Sequence, residues 1–367
     1  MSAAMACTDG SATGDLRDNP RLRLTPVTFA DLDGWTSDRH GDAFAAFSRS
    51  CDRILTGAKV SRSAVTSAAG LVEACTAARD LGDKPDAQTV RAFFETRFTP
   101  YRVEAAPALL TAYYEPALDG ALEPDDRFRY PLYRRPAEIS DDADKPGAKD
   151  PAKDLTRTAI DNGSLAGRGL ELVYLADPVD VYFVHIQGSA RIVLPDGHIL
   201  RIGFDGKNGH PYRSVGKAML ADGVLDPDRA TAEDMKDWLR AHPDDARTYM
   251  QLNPSYVFFR LIAELDADSG PIGGEGVALT AGRSLAIDRS LYPYGLPFWI
   301  EAALPTGKAG AFEPFNRLMV AQDTGAAITG PARGDIFWGT GQDAGVVAGR
   351  IAHPARFVVL LPCGAAE

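Results

Sequence analysis

The segment Val320–Gly341, VAQDTGAAITGPARGDIFWGTG, holds two carboxylates twelve residues apart, Asp323 and Asp335, with Arg333 as its only other charge. Each borders an apolar, strand-forming run. Leu318, Met319 and Val320 precede Asp323, and Ile336, Phe337 and Trp338 follow Asp335. A carboxyl held against apolar walls has its charged form disfavoured, so it can keep a proton near neutral pH. A general acid needs that property. An Asp at a strand end in a glycine-rich turn is equally a turn former that bonds its own backbone. Spacing alone leaves both readings standing.

Two further stretches carry polar groups at the ends of extended runs. Thr111, Tyr113, Tyr114 and Glu115 combine hydroxyls, aromatic faces and a carboxylate, a set suited to sugars or to a half-buried strand with one wet face. Gln187, Gly188 and Ser189 offer an amide and a hydroxyl at a corner that is a polar binding site or a plain turn. It is not a G-x-S-x-G elbow, because Ala190-Arg191 follows Ser189. Asp323-Thr324-Gly325 matches the aspartic-protease triplet, but that chemistry needs two copies sharing a proton and one is present. Gly339-Thr340-Gly341 lacks the third glycine spacing and the βαβ context of a dinucleotide loop. The six histidines show no ligand spacing, so no metal site is expected.

The elements that must position these groups follow from patterning. With 367 residues the chain is long enough for about two domains. Hydrophobic residues make up 45% and charged residues 24%, a globular composition. A formal net charge of −11 argues against a nucleic-acid partner, which would need a basic stripe. Residues 1–20 read as a disordered tail. Within it Met5-Ala6-Cys7 resembles the end of a lipoprotein signal whose front is missing, and no complete signal peptide is present.

Three helices are expected next. One buries Phe44, Phe47, Cys51, Ile54 and Leu55, and a second carries Val65, Leu71, Val72 and Cys75. A third is capped by Asp86 and buries Val90, Phe93, Phe94 and Phe98. Cys51 and Cys75 are a disulfide in an oxidising compartment or two buried thiols otherwise. Strands are expected over Leu109–Tyr114, Tyr130–Tyr133 and Val181–Gln187, with a solvated loop over 137–154. Asp196-Gly197 joins Ala190–Leu194 to His198–Phe204 as a hairpin. A helix begins at Thr231 with Asp234. Six or more short strands then run from Tyr256–Phe259 through Val277–Thr280, Ser284–Asp288, Phe298–Ala302, Arg317–Gln322, Asp335–Trp338 and Phe357–Leu361. One small-residue helix, Asp343–Arg350, interrupts them. That pattern suits a closed β-barrel better than a parallel α/β sheet.

TAYYEP (111–116), YPLY (130–133), VYFVHIQGSARIVLPDG (181–197), NGHPY (208–212), NPSYVFFR (253–260), SLAIDRSLYPYGLPFWI (284–300) and AQDTGAAITGPARGDIFWGTG (321–341) occur in this order. From about Thr111 to Pro362 the chain resembles the MltA family of lytic murein transglycosylases. Its last part resembles the 3D domain, whose three aspartates match Asp288, Asp323 and Asp335.

The resemblance implies a mainly β fold with some α: a double-psi, barwin-like β-barrel domain with a second β-rich domain inserted, and a glycan groove between them. The barrel domain would comprise 21–115 and 251–362, and the insert 116–250. The implied activity cleaves the β-1,4 bond between N-acetylmuramic acid and N-acetylglucosamine, leaving a 1,6-anhydromuramic end without water, metal or cofactor. The nucleophile is then the sugar's own C6 hydroxyl, so one carboxyl serves as acid and then base. By resemblance that residue is Asp335, with Asp323 supporting it and Asp288 structural or substrate-positioning. Thr111, Tyr113, Tyr114, Glu115, Gln187, Gly188, Ser189 and Trp338 would contact substrate. The expected partner is a peptidoglycan strand, the expected state a monomer, and the expected place the periplasm, with attachment to the outer membrane as in family relatives. Ala112 and Ala326 stand where the family often has glycine. Two other readings remain: a hydrolase on the same barrel, needing a second carboxylate about 6.5–9.5 Å from Asp335, and a non-catalytic glycan-binding protein.

Overall fold

The computed structural model describes residues 16–66, 70–140, 154–227, 230–263, 265–266, 268–305 and 311–363. Met5-Ala6-Cys7 and most of the expected loop, 141–153, lie outside them. Residues 1–15 of the expected tail also lie outside them, and the rest of it is ordered. Leu16–Asp18 form a 3-10 turn, with Leu16 buried and its carbonyl bonded by the Asn19 amide.

The chain divides into two compact units. The first comprises Met1–Ala112, Ile272–Trp338 and Ile351–Glu367, the second Tyr113–Pro271 and Gly339–Arg350. Both mix helices with sheets.

A nine-stranded sheet runs through the first unit. Its order is Leu24–Pro26, Phe98–Val103, Ala355–Pro362, Pro297–Pro305, Phe312–Asp323, Ser284–Ala286, Arg333–Thr340, Leu109–Glu115 and Ala352–His353. Three helices cover part of it. His40–Thr56 stops at Gly57, whose φ of 63° is left-handed backbone that glycine adopts without penalty. Ala87–Arg97 starts at Asp86, which accepts from the Gln88 and Thr89 amides. Leu71–Asp80 is shorter than expected: Val65 lies outside it, its amide bonded to Arg289 O, and the helix begins after Gly70 at φ 79°. Trp35, Phe44, Phe47, Phe93, Phe94 and Trp299 are buried where these helices meet the strands. Each such side chain stabilises the fold by roughly 1.5–3 kcal/mol. The Cys51–Cys75 disulfide ties the first two helices together.

In the second unit a six-stranded sheet has the order Tyr130–Tyr133, Glu171–Leu175, Ala117–Ala121, Ser189–Val193, Ile199–Lys207 and Val257–Leu261. The expected hairpin pairs Ser189 with Gly203 through Val193 with Ile199. Thr231 and Asp234 form a reciprocal capping box at the helix Ala232–Ala241, and a further helix, Pro243–Gln251, follows.

Two strand assignments are corrected. Val181–Gln187 is not a strand but most of the helix Pro178–Gln187. Its boundaries override its β-branched content: Asp177 accepts from the Val179 amide, Pro178 takes the first turn, and Gly188 closes the end at φ 80°. Val277–Thr280 makes only the single bridge Ile272–Ala278. Its end turns instead, with Thr280 N–H donating to Ser284 Oγ at 2.8 Å.

Candidate active site

The short strand Ser284–Ala286 brings the aspartates together. Ala286 is registered against Asp323 in the parallel strand on one side and against Asp335 in the antiparallel strand on the other. Adjacent strands lie about 4.8 Å apart, so the two backbones are separated by roughly 10 Å. Asp288 follows two residues later on the central chain.

Asp323 is a turn organiser. Its Oδ1 accepts the amides of Gly274 and Thr324, both at 2.8 Å. A polar network underpins it. Gln322 is fully buried; its carbonyl end accepts from Ser284 Oγ at 2.5 Å, and its amide nitrogen donates to Ala46 O and Ser50 Oγ. Ser50 Oγ lies 2.6 Å from Glu275 Oε2. Burial pushes the Glu275 carboxyl up to about 8, against the smaller pull of Ser50 and Arg53. Asp288 is a brace. Its Oδ1 accepts from the Ser290 amide and hydroxyl, and its Oδ2 accepts the Gly330 amide at 2.8 Å. Gly330 precedes the strand that carries Asp335.

Asp335 is placed differently. Its side chain is half-buried, with enough protein around it that loss of hydration is the largest influence. Its pKa is raised from 3.8 to about 6. The Arg333 charge and a hydrogen bond from the Thr111 hydroxyl to Oδ1 hold it down, while the Asp323 charge pushes it further up. Arg333 sits two residues earlier on the same strand, hence on the same face. Its guanidinium donates to Leu109 O and Gly334 O. Ile336 and Phe337 are buried, and strand alternation sends Ile336 and Trp338 to the face opposite Asp335. The expected apolar walls are therefore not simply its sequence neighbours. Trp338 lies against Phe315, ring centres 6.0 Å apart.

Thr111, expected to contact substrate, touches Asp335 itself. In the second unit, Glu115 stood among the expected sugar-contacting residues, but its carboxylate is turned inward. It is 1% exposed, paired with Arg191 at 2.8 Å and Arg201 at 3.2 Å, and accepts from Thr340 Oγ1. Two guanidiniums compensate its burial, and this makes it an anchor. Tyr114 is also a packing residue. Its hydroxyl accepts from Lys236 Nζ at 3.0 Å, its amide donates to Gln187 Oε1 at 3.0 Å, and its ring lies where a side chain on Gly345 would be. Tyr113 leaves the strand on the other face and is half-buried. Gly188 caps a helix and Ser189 is buried at the start of a strand, so this corner joins a helix to a strand.

Arg333, Glu275, Gln322 and Ser50 were missed by sequence reasoning. Arg333 had a signal, as the only cation between the two aspartates. Glu275 lay in a glycine-rich turn that gives no hint of burial.

Among the described residues no helix is long and apolar enough to cross a membrane, and no cluster of three or more His, Cys, Asp or Glu stands ready for a metal.

Residues 109–260 match the model of the MltA specific insert domain, and residues 283–361 match that of the 3D domain. A membrane-bound lytic murein transglycosylase A from Vibrio cholerae is 32% identical over 254 residues. That alignment covers 68% of this chain and 64% of the relative, less than two thirds of its length. The crystal structure of a membrane-bound lytic murein transglycosylase from Agrobacterium tumefaciens is 40% identical, with a TM-score of 0.81 over 92% of this chain and 97% of that one. A crystal structure of Escherichia coli MltA with bound chitohexaose is 26% identical, with a TM-score of 0.68 over 97% and 96% of the two chains. The chain therefore belongs to the MltA family of lytic murein transglycosylases.

Proposed function

We propose that this protein cleaves the glycan strands of peptidoglycan as a lytic transglycosylase, with Asp335 as the single acid and base. Protonated Asp335 gives its proton to the departing O4 of N-acetylglucosamine as the β-1,4 bond to C1 of N-acetylmuramic acid breaks. The carboxylate then accepts the proton of the C6 hydroxyl as O6 bonds to C1. One C–O bond breaks, one forms, the proton is replaced and no water is consumed. What carries this reading is the state of Asp335: its pKa is raised to about 6 and one of its oxygens is fixed by Thr111. A group that must donate and then accept works best with a pKa near the working pH.

An inverting hydrolase would need a second carboxylate free to activate water. Asp323 is the nearest in register, and its Oδ1 already accepts two backbone amides. It serves as a brace and as a charge that raises Asp335, and Asp288 fixes the turn leading to the catalytic strand. Tyr113 is the better sugar platform of the two tyrosines, because the Tyr114 ring is packed. The fold we assign to the catalytic domain, residues 21–115 and 251–362, is a double-psi barrel, with 116–250 inserted. The parallel pairing of Ser284–Ala286 with Phe312–Asp323, within an otherwise antiparallel set, supports it. The Cys51–Cys75 disulfide favours an oxidising compartment such as the periplasm, where murein lies.

The test is a digest of purified sacculi read by mass spectrometry, wild type beside Asp335→Asn. Anhydromuropeptides from the wild type alone are expected. Products heavier by one water would replace the transglycosylase with a hydrolase, and equal activity in both proteins would remove Asp335 from its role.

A further inference from the structure

A cavity lies wholly within the second unit, away from Asp335 and its partners. Its volume is about 540 Å³, within the roughly 300–1,000 Å³ of small-molecule sites. Ile160, Val179, Leu239 and Met250 give it apolar walls. Its polar groups are unusual for the interior of a domain.

Tyr133 and Tyr256 line it and are 6% and 2% exposed. Among the described residues neither hydroxyl has a hydrogen-bond partner, yet neither is sealed from solvent-sized contact. Both therefore face the cavity. Buried hydroxyls pair with protein or with water, so these two offer hydrogen bonds to whatever polar group occupies the cavity.

Arg157 lines the same wall at 3% exposure. Its Nε and Nη2 donate to Asn253 O at 3.0 Å and Ser255 O at 2.8 Å, and its Nη1 donates to His185 Nδ1 at 3.0 Å. The ring faces of Tyr182 and Tyr256 lie about 5 Å from it. One N–H on each terminal nitrogen is left over; among the described residues Arg157 forms no ion pair, and Asp161 is the carboxylate whose charge it meets. Arg247, at the cavity rim, bonds only the neutral oxygens of Asp161 and Asn162. Arg240 is spent on Asp177 and Asp180. Asp161 is the remaining charge on the wall, and its carboxylate accepts from Gln251 at 3.3 Å. Two cations that share the single acid Asp161, with two phenols around apolar walls, leave a net positive wall that complements a small molecule carrying a carboxylate beside an ammonium group.

We propose that this cavity binds a short peptide by its free amino-acid end. The carboxylate would lie against Arg157, Arg247 and the tyrosine hydroxyls, and the ammonium against Asp161. This rests on the reading of the protein as a murein enzyme, since the peptide stems of murein supply such ends. The cavity would then let a glycan-cleaving enzyme register the peptide state of its substrate.

The test is calorimetric titration of the intact chain with the free tripeptide L-alanyl-γ-D-glutamyl-meso-diaminopimelic acid, with chitotriose as competitor. Saturable binding is expected in the wild type and in Asp335→Asn alike, so the result does not depend on catalysis. Tyr256→Phe and Arg247→Ala should each weaken it about tenfold, the effect of one lost hydrogen bond to a charged group. Tyr256→Phe removes no bond within the chain, so its thermal stability should match the wild type and separate lost binding from lost fold. No saturable binding at millimolar peptide would overturn the proposal. Unchanged affinity in both variants would do the same, and displacement by chitotriose would reassign the cavity to sugar.

Discussion

Asp335→Asn should make the protein more stable, and by an amount that depends on pH in one direction only. The wild-type carboxyl is raised from 3.8 to about 6, mainly by loss of hydration. At 1.36 kcal/mol per pH unit, its ionised form costs the fold about 3 kcal/mol, and partial contact with water trims this to about 2 kcal/mol. The sign follows from proton binding. Between about pH 4 and pH 6 the folded chain holds this proton more tightly than the unfolded chain. Wild-type stability therefore falls as pH rises through that window, and the deficit persists above it. Asn does not titrate, and its carbonyl oxygen can still accept from Thr111. Every other ionisable group cancels in the difference between the two proteins. Urea denaturation at pH 4, 5, 6 and 7.5 should show the Asn variant gaining about 2 kcal/mol on the wild type between the lowest and highest pH, with m-values unchanged. Parallel stability curves, differing by a constant at all four pH values, would refute the argument that Asp335 is a desolvated acid. A gain accompanied by lost activity is the usual trade at a functional position.

Three further outcomes follow from particular contacts. Thr111→Val removes a donor that favours the ionised carboxyl, so the alkaline limb of the kcat/KM profile should move to higher pH and the optimum rate fall by about 100-fold; pH–rate profiles on soluble glycan strands would measure both. Gly345→Ala places a methyl 2.6–3.1 Å from three Tyr114 ring atoms whose hydroxyl is held by Lys236. Overpacking of this kind costs about 1–3 kcal/mol, and Tyr114→Leu in the same chain should recover most of it in a double-mutant cycle. Replacing both Cys51 and Cys75 by Ala opens a link between residues 24 apart, which should lower unfolding free energy by about 3 kcal/mol in chemical denaturation.

What the sequence made legible was local. Asp86 before a helical stripe, Thr231 with Asp234, and Asp196-Gly197 between apolar runs are each complete within a few residues, and all three features are found. The helix Pro178–Gln187 failed the same reading because Val, Tyr, Phe and Ile dominate it. Its own boundary signals, Asp177-Pro178 and Gly188, were the better guide. The site was legible as residue types but not as contacts. Thr111 and Asp335 are 224 positions apart, and their meeting depends on which strands become neighbours. Glu115 shows the same limit: a lone Glu after two tyrosines looks available until Arg191 and Arg201 arrive from other strands.

Asp335 suits the role better than Glu275, a buried carboxyl in the same unit, because of its surroundings. Glu275 is 1% exposed and reaches about 8 with only Ser50 and Arg53 opposing its burial. At neutral pH such a group keeps its proton, which suits a structural link to Ser50 and the Gln322 side chain. At 1% exposure, with Oε2 already accepting from Ser50, it is closed to a substrate oxygen. Asp335 is also dominated by loss of hydration, yet Arg333 on its own strand and the Thr111 hydroxyl bring it back to about 6. Both protonation states are then within reach at one pH. A single residue that donates to O4 and then accepts from the C6 hydroxyl needs that balance. Burial alone would leave the carboxyl an acid, and full hydration would leave it a base. Of the three aspartates gathered around Ser284–Ala286, Asp288 has both oxygens held by backbone or hydroxyl donors, and Asp323 has Oδ1 shared between two amides. Asp335 instead accepts a single side-chain hydroxyl at Oδ1, which orients the carboxyl without occupying the oxygen that must carry the proton.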